Sequence, residues 1–326
     1  MAIAISDPAV SFEETHKNIY QTAQSILLTE DFARVSQRQP GFMNDPNAFG
    51  SILKYYQIKP GYNLFVSMLH GLGFNLVMAT YLPSLISYFL LGCLLFWWLF
   101  RLSSPIPAAA GTLAIMMTPL MTDLARYSSP DMLCTLVSIA GLILLMESLF
   151  LVGLSMLLVA VFTRPDAVIL LLLVCAALAI SKRTTWPQSI AFGILGIILV
   201  IFIVKDFGLI KEFILPSASF VSGSNTNFIG NYLPGLVEGL GSALHSYTLP
   251  FLALGVLVLI LRHRAGYNIS TDFLSLMTLA AGSALTIHYL LHPVVEDRFN
   301  LTCYFLLLAV SLKILMEKLP QSQPHT

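Results

Sequence analysis

Charge is what this sequence has least of. Charged residues make up 10% of the 326-residue chain, against about a quarter in a water-soluble domain, which excludes an ordinary cytosolic globule. Disorder is excluded by the rest of the composition, since 56% of residues are hydrophobic and the mean hydropathy is +0.80. What charge there is cancels, 17 Lys and Arg against 17 Asp and Glu. With no basic stripe to neutralise phosphates, a nucleic-acid partner is excluded as well.

Other absences narrow the chemistry. The four cysteines, Cys93, Cys134, Cys175 and Cys303, lie in apolar runs without Cys-x-x-Cys spacing or a neighbouring His, so they read as buried thiols and no metal site is expected. No Walker-type loop, Gly-x-Gly-x-x-Gly or His-Glu-x-x-His occurs, leaving nucleotide hydrolysis and zinc proteolysis without support. Met1–Ile5 is apolar but too short for a signal peptide before Asp7.

What is present is a series of charge-free runs. They cover 60–100, 102–122, 132–146, 148–163, 167–181, 184–204, 239–261, 273–295 and 299–312. A crossing needs roughly 17–25 mostly apolar residues, so the expected fold is an all-α, polytopic membrane helix bundle. Nine spans are expected, at about 76–100, 105–122, 130–146, 148–163, 167–181, 186–204, 246–261, 273–292 and 300–316, with a tight hairpin near Glu147-Ser148. Tyr62–Leu72 reads as an interfacial or re-entrant helix, and Trp97 and Trp98 as headgroup anchors. The domains are then an external N-terminal segment 1–61, a transmembrane domain 62–318 with an external loop 205–245, and a cytoplasmic tail 319–326.

Alternating the loops across a bilayer puts seven basic and three acidic residues on one side, leaving ten basic and fourteen acidic on the other. The positive-inside rule assigns the first side, with Lys182, Arg183, Arg262 and Arg264, to the cytoplasm. Both long polar segments face outward on that reading. Three compact charged groups share their face: TDLARYSSPD ending at Asp131, Arg164-Pro165-Asp166, and Glu296-Asp297-Arg298 after His292-Pro293. Ionisable residues at the ends of spans are costly unless paired or wet, which makes each group a candidate site. Capping is the plain alternative, with Pro in a first turn and an acid at a helix N-terminus. Arg126, Arg164 and Arg298 suit a phosphate or pyrophosphate. Asp131, Asp166 and Glu296 suit orienting those arginines, binding sugar hydroxyls or holding a divalent cation.

These motifs also carry a resemblance. Tyr55-Tyr56-Gln57-Ile58-Lys59-Pro60-Gly61-Tyr62 resembles the Lys/Arg-Pro-x-Tyr element that opens the juxtamembrane helix of GT-C polytopic glycosyltransferases, the class of the protein mannosyltransferases and aminoarabinose transferases. Arg126 with Ser129-Pro130-Asp131, then Arg164-Pro165-Asp166, then Glu296-Asp297-Arg298-Phe299 follow in the order of that group, over about residues 50–315. The resemblance implies a lipid-linked sugar phosphate as donor, no cofactor beyond an optional divalent cation, and an acid of the first external loop as catalytic base. Residues 1–61 look like that loop, without the transmembrane helix that precedes it in the family, and Asp7, Glu13 and Glu14 are the candidates for the base. A solvated helix start capped by Ser11 explains Glu13 and Glu14 equally well.

The resemblance further implies that Lys59, Arg126, Asp131, Arg164, Asp166, Glu296, Asp297 and Arg298 bind substrate. Lys59 either approaches the donor phosphate or snorkels to the interface. His288 and His292 lie four apart on one helical face, as a proton shuttle or as two hydrated imidazoles. Phe220, Asn225, Asn227, Phe228, Asn231 and Tyr232 in the 205–245 loop suit a cover over a sugar site. The expected function is therefore sugar transfer from a polyprenyl-phosphate carrier at the outer face of a bacterial inner membrane. A transporter or flippase, or a non-catalytic membrane subunit, is the alternative.

Overall fold

A computed structural model describes residues 12–30, 32–33, 40–47, 57–205, 236–237, 239–241, 243–291 and 297–318. Its helices are α1 (Phe12–Ile26), α2 (Pro40–Asn44), α3 (Pro60–Gly71), α4 (Leu76–Leu102), α5 (Pro105–Met116), α6 (Pro119–Arg126), α7 (Asp131–Met146), α8 (Phe150–Thr163), α9 (Val168–Ile180), α10 (Trp186–Val204), α11 (Thr248–Arg264), α12 (Phe273–Leu291) and α13 (Asp297–Lys318), with a 3-10 turn at Pro165–Ala167 between α8 and α9. No strand occurs among the described residues. Three helices, α4, α10 and α12, are long and apolar enough to cross a membrane. A fourth crossing is available if the bent pair α5–α6 counts as one.

That bend is where the structure departs from the straight span expected over 105–122. The axes of α5 and α6 meet at 63°. Pro119 has no N–H for the Ile115 carbonyl and breaks the ladder. The freed acceptors are taken locally: Thr118 donates to Ile115 O through its N–H (3.2 Å) and Oγ1 (2.8 Å), and the Tyr88 hydroxyl donates to Met116 O at 2.8 Å. A break so fully satisfied persists in an apolar setting, where an orphaned carbonyl would cost several kcal/mol.

The hairpin expected near Glu147-Ser148 is present. Its helices end at Met146 and resume at Phe150. With neither Gly nor Pro available, Ser148 itself takes the left-handed conformation, φ 65°, and the Ser148 and Leu149 N–H groups return to Leu145 O and Leu144 O. Two glycines let α7 and α8 close. A Cβ on Gly141 would meet Gly153 O at 2.9 Å, and one on Gly153 would meet Gly141 O at 2.8 Å. Close approach through small residues is how helices associate where lipid supplies no hydrophobic drive. Eleven of the sixteen residues of α7 are buried, so α7 is the central helix, with α4, α8 and α13 packed around it.

The helices run so that charges collect at two opposite ends. At one end Arg101 pairs with Glu147 at 3.3 Å, and Lys313 donates to Met146 O, the last carbonyl of α7, at 2.9 Å. Arg183 lies over the Phe273 ring there, and Arg262 pairs with Asp272. At the other end the N-termini of α7 and α13 meet the C-termini of α8 and α12, and the candidate residues gather there.

Candidate functional site

The site is built around Arg164. Its backbone is extended (φ −146°, ψ 111°), as the residue before a proline prefers, so α8 stops and Pro165 opens the 3-10 turn that carries Asp166. The guanidinium is buried, 8% exposed. Its Nη1 donates to Asp131 Oδ1 at 2.5 Å, and its Nε to Asp166 Oδ1 at 3.0 Å, while Nη2 donates to Asp166 Oδ2. Asp131, only 3% exposed, sits in the first turn of α7, where the helix N-terminus also favours an acid. Buried charges of this kind are tolerated because each is paired and hydrogen-bonded.

Two further groups close on this triad. His288, near the end of α12, places Nε2 3.5 Å from Asp166 Oδ2. Arg298, in the first turn of α13, has Nη1 3.9 Å from Asp131 Oδ2 and keeps about a third of its side chain exposed. Asp166 lies in the turn outside both flanking helices. Burial alone would raise its carboxyl, but Arg164 and His288 overcome that and hold it well below the usual carboxylate range. Lys59, just before α3, feels the same cluster. Burial pushes its ammonium down to about 8, with Asp131 and Asp166 pulling upward and Arg164 and Arg298 pushing further down.

The Lys59-Pro60-Gly61-Tyr62 element has a geometric meaning. Pro60 starts α3. A Cβ at Gly61 would meet Thr163 Oγ1 at 3.0 Å and Thr163 Cα at 3.1 Å, so the missing side chain lets α3 lie against the end of α8 beside Arg164. The Tyr62 hydroxyl donates to Thr80 O at 2.8 Å and lies 3.2 Å from Ser128 Oγ, tying α3 to α4 and to the segment leading into Asp131. Ser84 adds a second clasp on that segment, its Oγ within reach of Tyr127 O (2.6 Å) and Ser129 O (3.0 Å).

Arg164, Asp166, His288 and Arg298 line a small cleft, part of it open to solvent. Its polar lining continues into the bundle through Thr135 and Ser138 of α7 and Asn300 and Thr302 of α13. These four were not expected from the sequence. Hydroxyls and amides in apolar helices signal little alone; only their position within about two turns of Asp131 and Arg298 marks them. The thiols of Cys134 and Cys303 also line the cleft.

The other expected site residues lie elsewhere. Arg126 is exposed at the end of α6. Asp297 points away, to the start of α11: its Oδ1 accepts from Tyr304 Oη at 2.7 Å and Tyr247 N at 3.1 Å. Tyr304 in turn accepts from Thr248 Oγ1 at 2.7 Å and stacks on Phe251 at 4.6 Å. Asp297 thus joins α11 to α13. Glu13 and Glu14 are exposed in the first turn of α1, a helix that touches α4, and neither lines the cleft. Asp7, Glu296, His292 and the 206–235 part of the expected cover lie outside the described residues. For a divalent cation, Asp131 and Asp166 are already engaged by Arg164, and no group of three metal-ligating side chains occurs among the described residues.

No protein-family model, curated protein or solved structure matches the chain.

Proposed function

We propose that the chain is a membrane glycosyltransferase that moves a sugar from a polyprenyl-phosphate carrier to an acceptor. The reading rests on one observation: a partly exposed arginine stands at a polar cleft beside a buried ion network, whose charges a nearby lysine also feels. In the cluster, Lys59, Arg164 and Arg298 against Asp131 and Asp166 leave one positive charge. Arg298, about a third exposed at the cleft, and Lys59, coupled to the same carboxylates, are the cations offered to a phosphate. Guanidinium suits its oxygens, and charge growing on the departing lipid phosphate is stabilised by donors already in place. Thr135, Ser138, Asn300 and Thr302 offer hydroxyl and amide partners to a sugar.

In this mechanism the acceptor hydroxyl attacks the anomeric carbon as the bond to the phosphate oxygen breaks, with inversion. Its proton passes to an acid of the N-terminal segment, as the resemblance to GT-C enzymes implies. General-base assistance of this kind contributes about 10²–10⁴-fold. The arrangement that goes with the proposal has nine crossings, the bent α5–α6 pair and the shorter helices α7, α8, α9 and α13 included, in a bacterial inner membrane. The cluster faces outward and the end with Arg101, Lys182, Arg183 and Arg264 faces the cytoplasm.

The test uses the full chain in proteoliposomes with a radiolabelled polyprenyl-phosphate sugar. Transfer to an acceptor, lost in Arg298→Ala and partly kept in Arg298→Lys, is the expected result. Absence of transfer from every donor, with solute uptake into the vesicles instead, would replace the enzyme by a transporter.

A further inference from the structure

The end of the bundle opposite the cleft carries a second charged feature. Lys182 and Arg183 occupy the turn between α9 and α10, and His263 and Arg264 end α11; all four are exposed. The turn is held in shape: Lys182 takes a left-handed conformation, φ 56°, and the Arg183 N–H returns to Leu178 O at 2.9 Å. The Arg183 guanidinium lies over the Phe273 ring, 5.4 Å from its centroid, which sets the α9–α10 turn against the start of α12.

The neighbouring acid does not neutralise this corner. Asp272, just before Phe273, accepts from Arg262 Nε (3.0 Å) and Nη2 (2.5 Å), and from the N–H (2.9 Å) and Oγ (2.7 Å) of Ser275. Arg262 is itself buried and stacked on Tyr267 at 3.5 Å, so this pair is a closed unit that stiffens the α11–α12 loop. Among the described residues Lys182, Arg183 and Arg264 form no ion pair. Arg101, at the same end, differs in having Glu147 as a partner.

Below the turn runs an apolar stripe. Trp186, Ile190 and Ile194, four residues apart on α10, are 59%, 52% and 51% exposed. A tryptophan at the head of such a stripe sits where a headgroup layer meets hydrocarbon. Cations above, an aromatic at the boundary and an aliphatic track beneath match one kind of partner: an anionic phosphodiester headgroup with acyl chains. A soluble anion would use the cations and leave the track bare.

We propose that the corner formed by Lys182, Arg183 and the Trp186–Ile190–Ile194 stripe binds an anionic phospholipid. The phosphate lies against the two cations and an acyl chain along α10. The inference needs neither a sugar donor nor any transfer activity, so it stands or falls apart from the proposed reaction.

The experiment uses the full chain in neutral detergent, with lipid added and thermal unfolding followed. Phosphatidylglycerol raises the unfolding temperature, whereas phosphatidylcholine and inorganic phosphate at equal concentration do not. Lys182→Gln and Arg183→Gln each weaken the phosphatidylglycerol affinity about fivefold, the worth of one basic residue near an anionic surface, and the double variant loses the preference. A second measurement guards against a variant that misfolds. In a Trp97→Phe/Trp98→Phe background Trp186 is the one tryptophan left, and phosphatidylglycerol with brominated acyl chains quenches it at lower concentration than brominated phosphatidylcholine. Equal responses to the two lipids, or a double variant that keeps the preference, overturn the proposal. Stabilisation by polyglutamate but not by phosphatidylglycerol overturns it in favour of a protein partner.

Discussion

Arg164 Nη1 stands 2.5 Å from Asp131 Oδ1, a contact between residues 33 positions apart. It joins the start of α7 to the end of α8, the two open ends of a hairpin whose turn lies at Ser148. With Asp166 on the other edge of the same guanidinium, one side chain bridges two carboxylates that would otherwise repel each other in a poorly solvated place.

Arg164→Ala is therefore a stability mutation before it is an activity mutation. Two carboxylates lose their nearest counter-ion, and removing one partner of a buried pair costs about 3–5 kcal/mol. Unfolding of the detergent-solubilised variant checks this. A loss under about 1 kcal/mol would show that the network is well hydrated and that Arg164 is free to meet a substrate.

Asp166 gives an acid-side signature. Its folded carboxyl is held below the ordinary value of 3.8 by Arg164 and His288, against burial. A depressed acid contributes stability that is present above about 3.8 and lost as pH falls further, because the unfolded chain then takes up the proton first. Asp166→Asn should flatten that part of the curve relative to wild type; parallel curves below pH 4 would contradict the pairing.

Lys59 gives the opposite signature at alkaline pH. Its folded value is about 8 against 10.5 ordinarily, chiefly through burial. Between these values the unfolded state binds more protons, so stability rises with pH from about 8 to 10.5. Lys59→Met should remove this rise, measured as the unfolding midpoint across that range. An unchanged rise would place the effect on another group.

Gly61→Ala tests the seat of α3. The new methyl group would come within 3.1 Å of the Thr163 backbone, which cannot rotate away, so α3 must shift from α8. Overpacking of this kind costs about 1–3 kcal/mol, and Lys59 and Tyr62 move with the helix. Transfer should fall more than unfolding does; a fully active variant would show that α3 does not position the cluster.

Tyr304→Phe separates Asp297 from the cleft. The hydroxyl bridges Thr248 and Asp297, so its removal should cost about 1 kcal/mol for the lost hydrogen bond, since Asp297 keeps the Tyr247 N–H as donor, while Arg298-dependent transfer persists. Loss of transfer at unchanged stability would return Asp297 to the site.

Much of the helical order is legible in the residues themselves. Windows bounded by Glu147, Arg164, Lys182 and Asp272 end where helices end, because a charge cannot sit unpaired in an apolar helix packed on all sides. The break at Pro119 is harder to foresee. The residues around it are apolar enough to read as one span, and the carbonyls it frees are rescued by Tyr88, 31 positions earlier. Asp297 misleads for a similar reason: it adjoins Arg298, yet neighbours on a helix point about 100° apart, and the two side chains serve different contacts.

By itself the sequence determined that the chain is helical and apolar, and that its few charges fall in short groups at helix ends, since composition and periodicity act locally. Which of those charges meet was decided by tertiary packing. The Gly141–Gly153 approach closes the α7–α8 hairpin, the extended backbone at Arg164 turns its guanidinium between Asp131 and Asp166, and α12 and α13 bring His288 and Arg298 to the same cleft. A buried ion network takes its partners from whatever the fold places within about 4 Å, and distance along the chain says nothing of that.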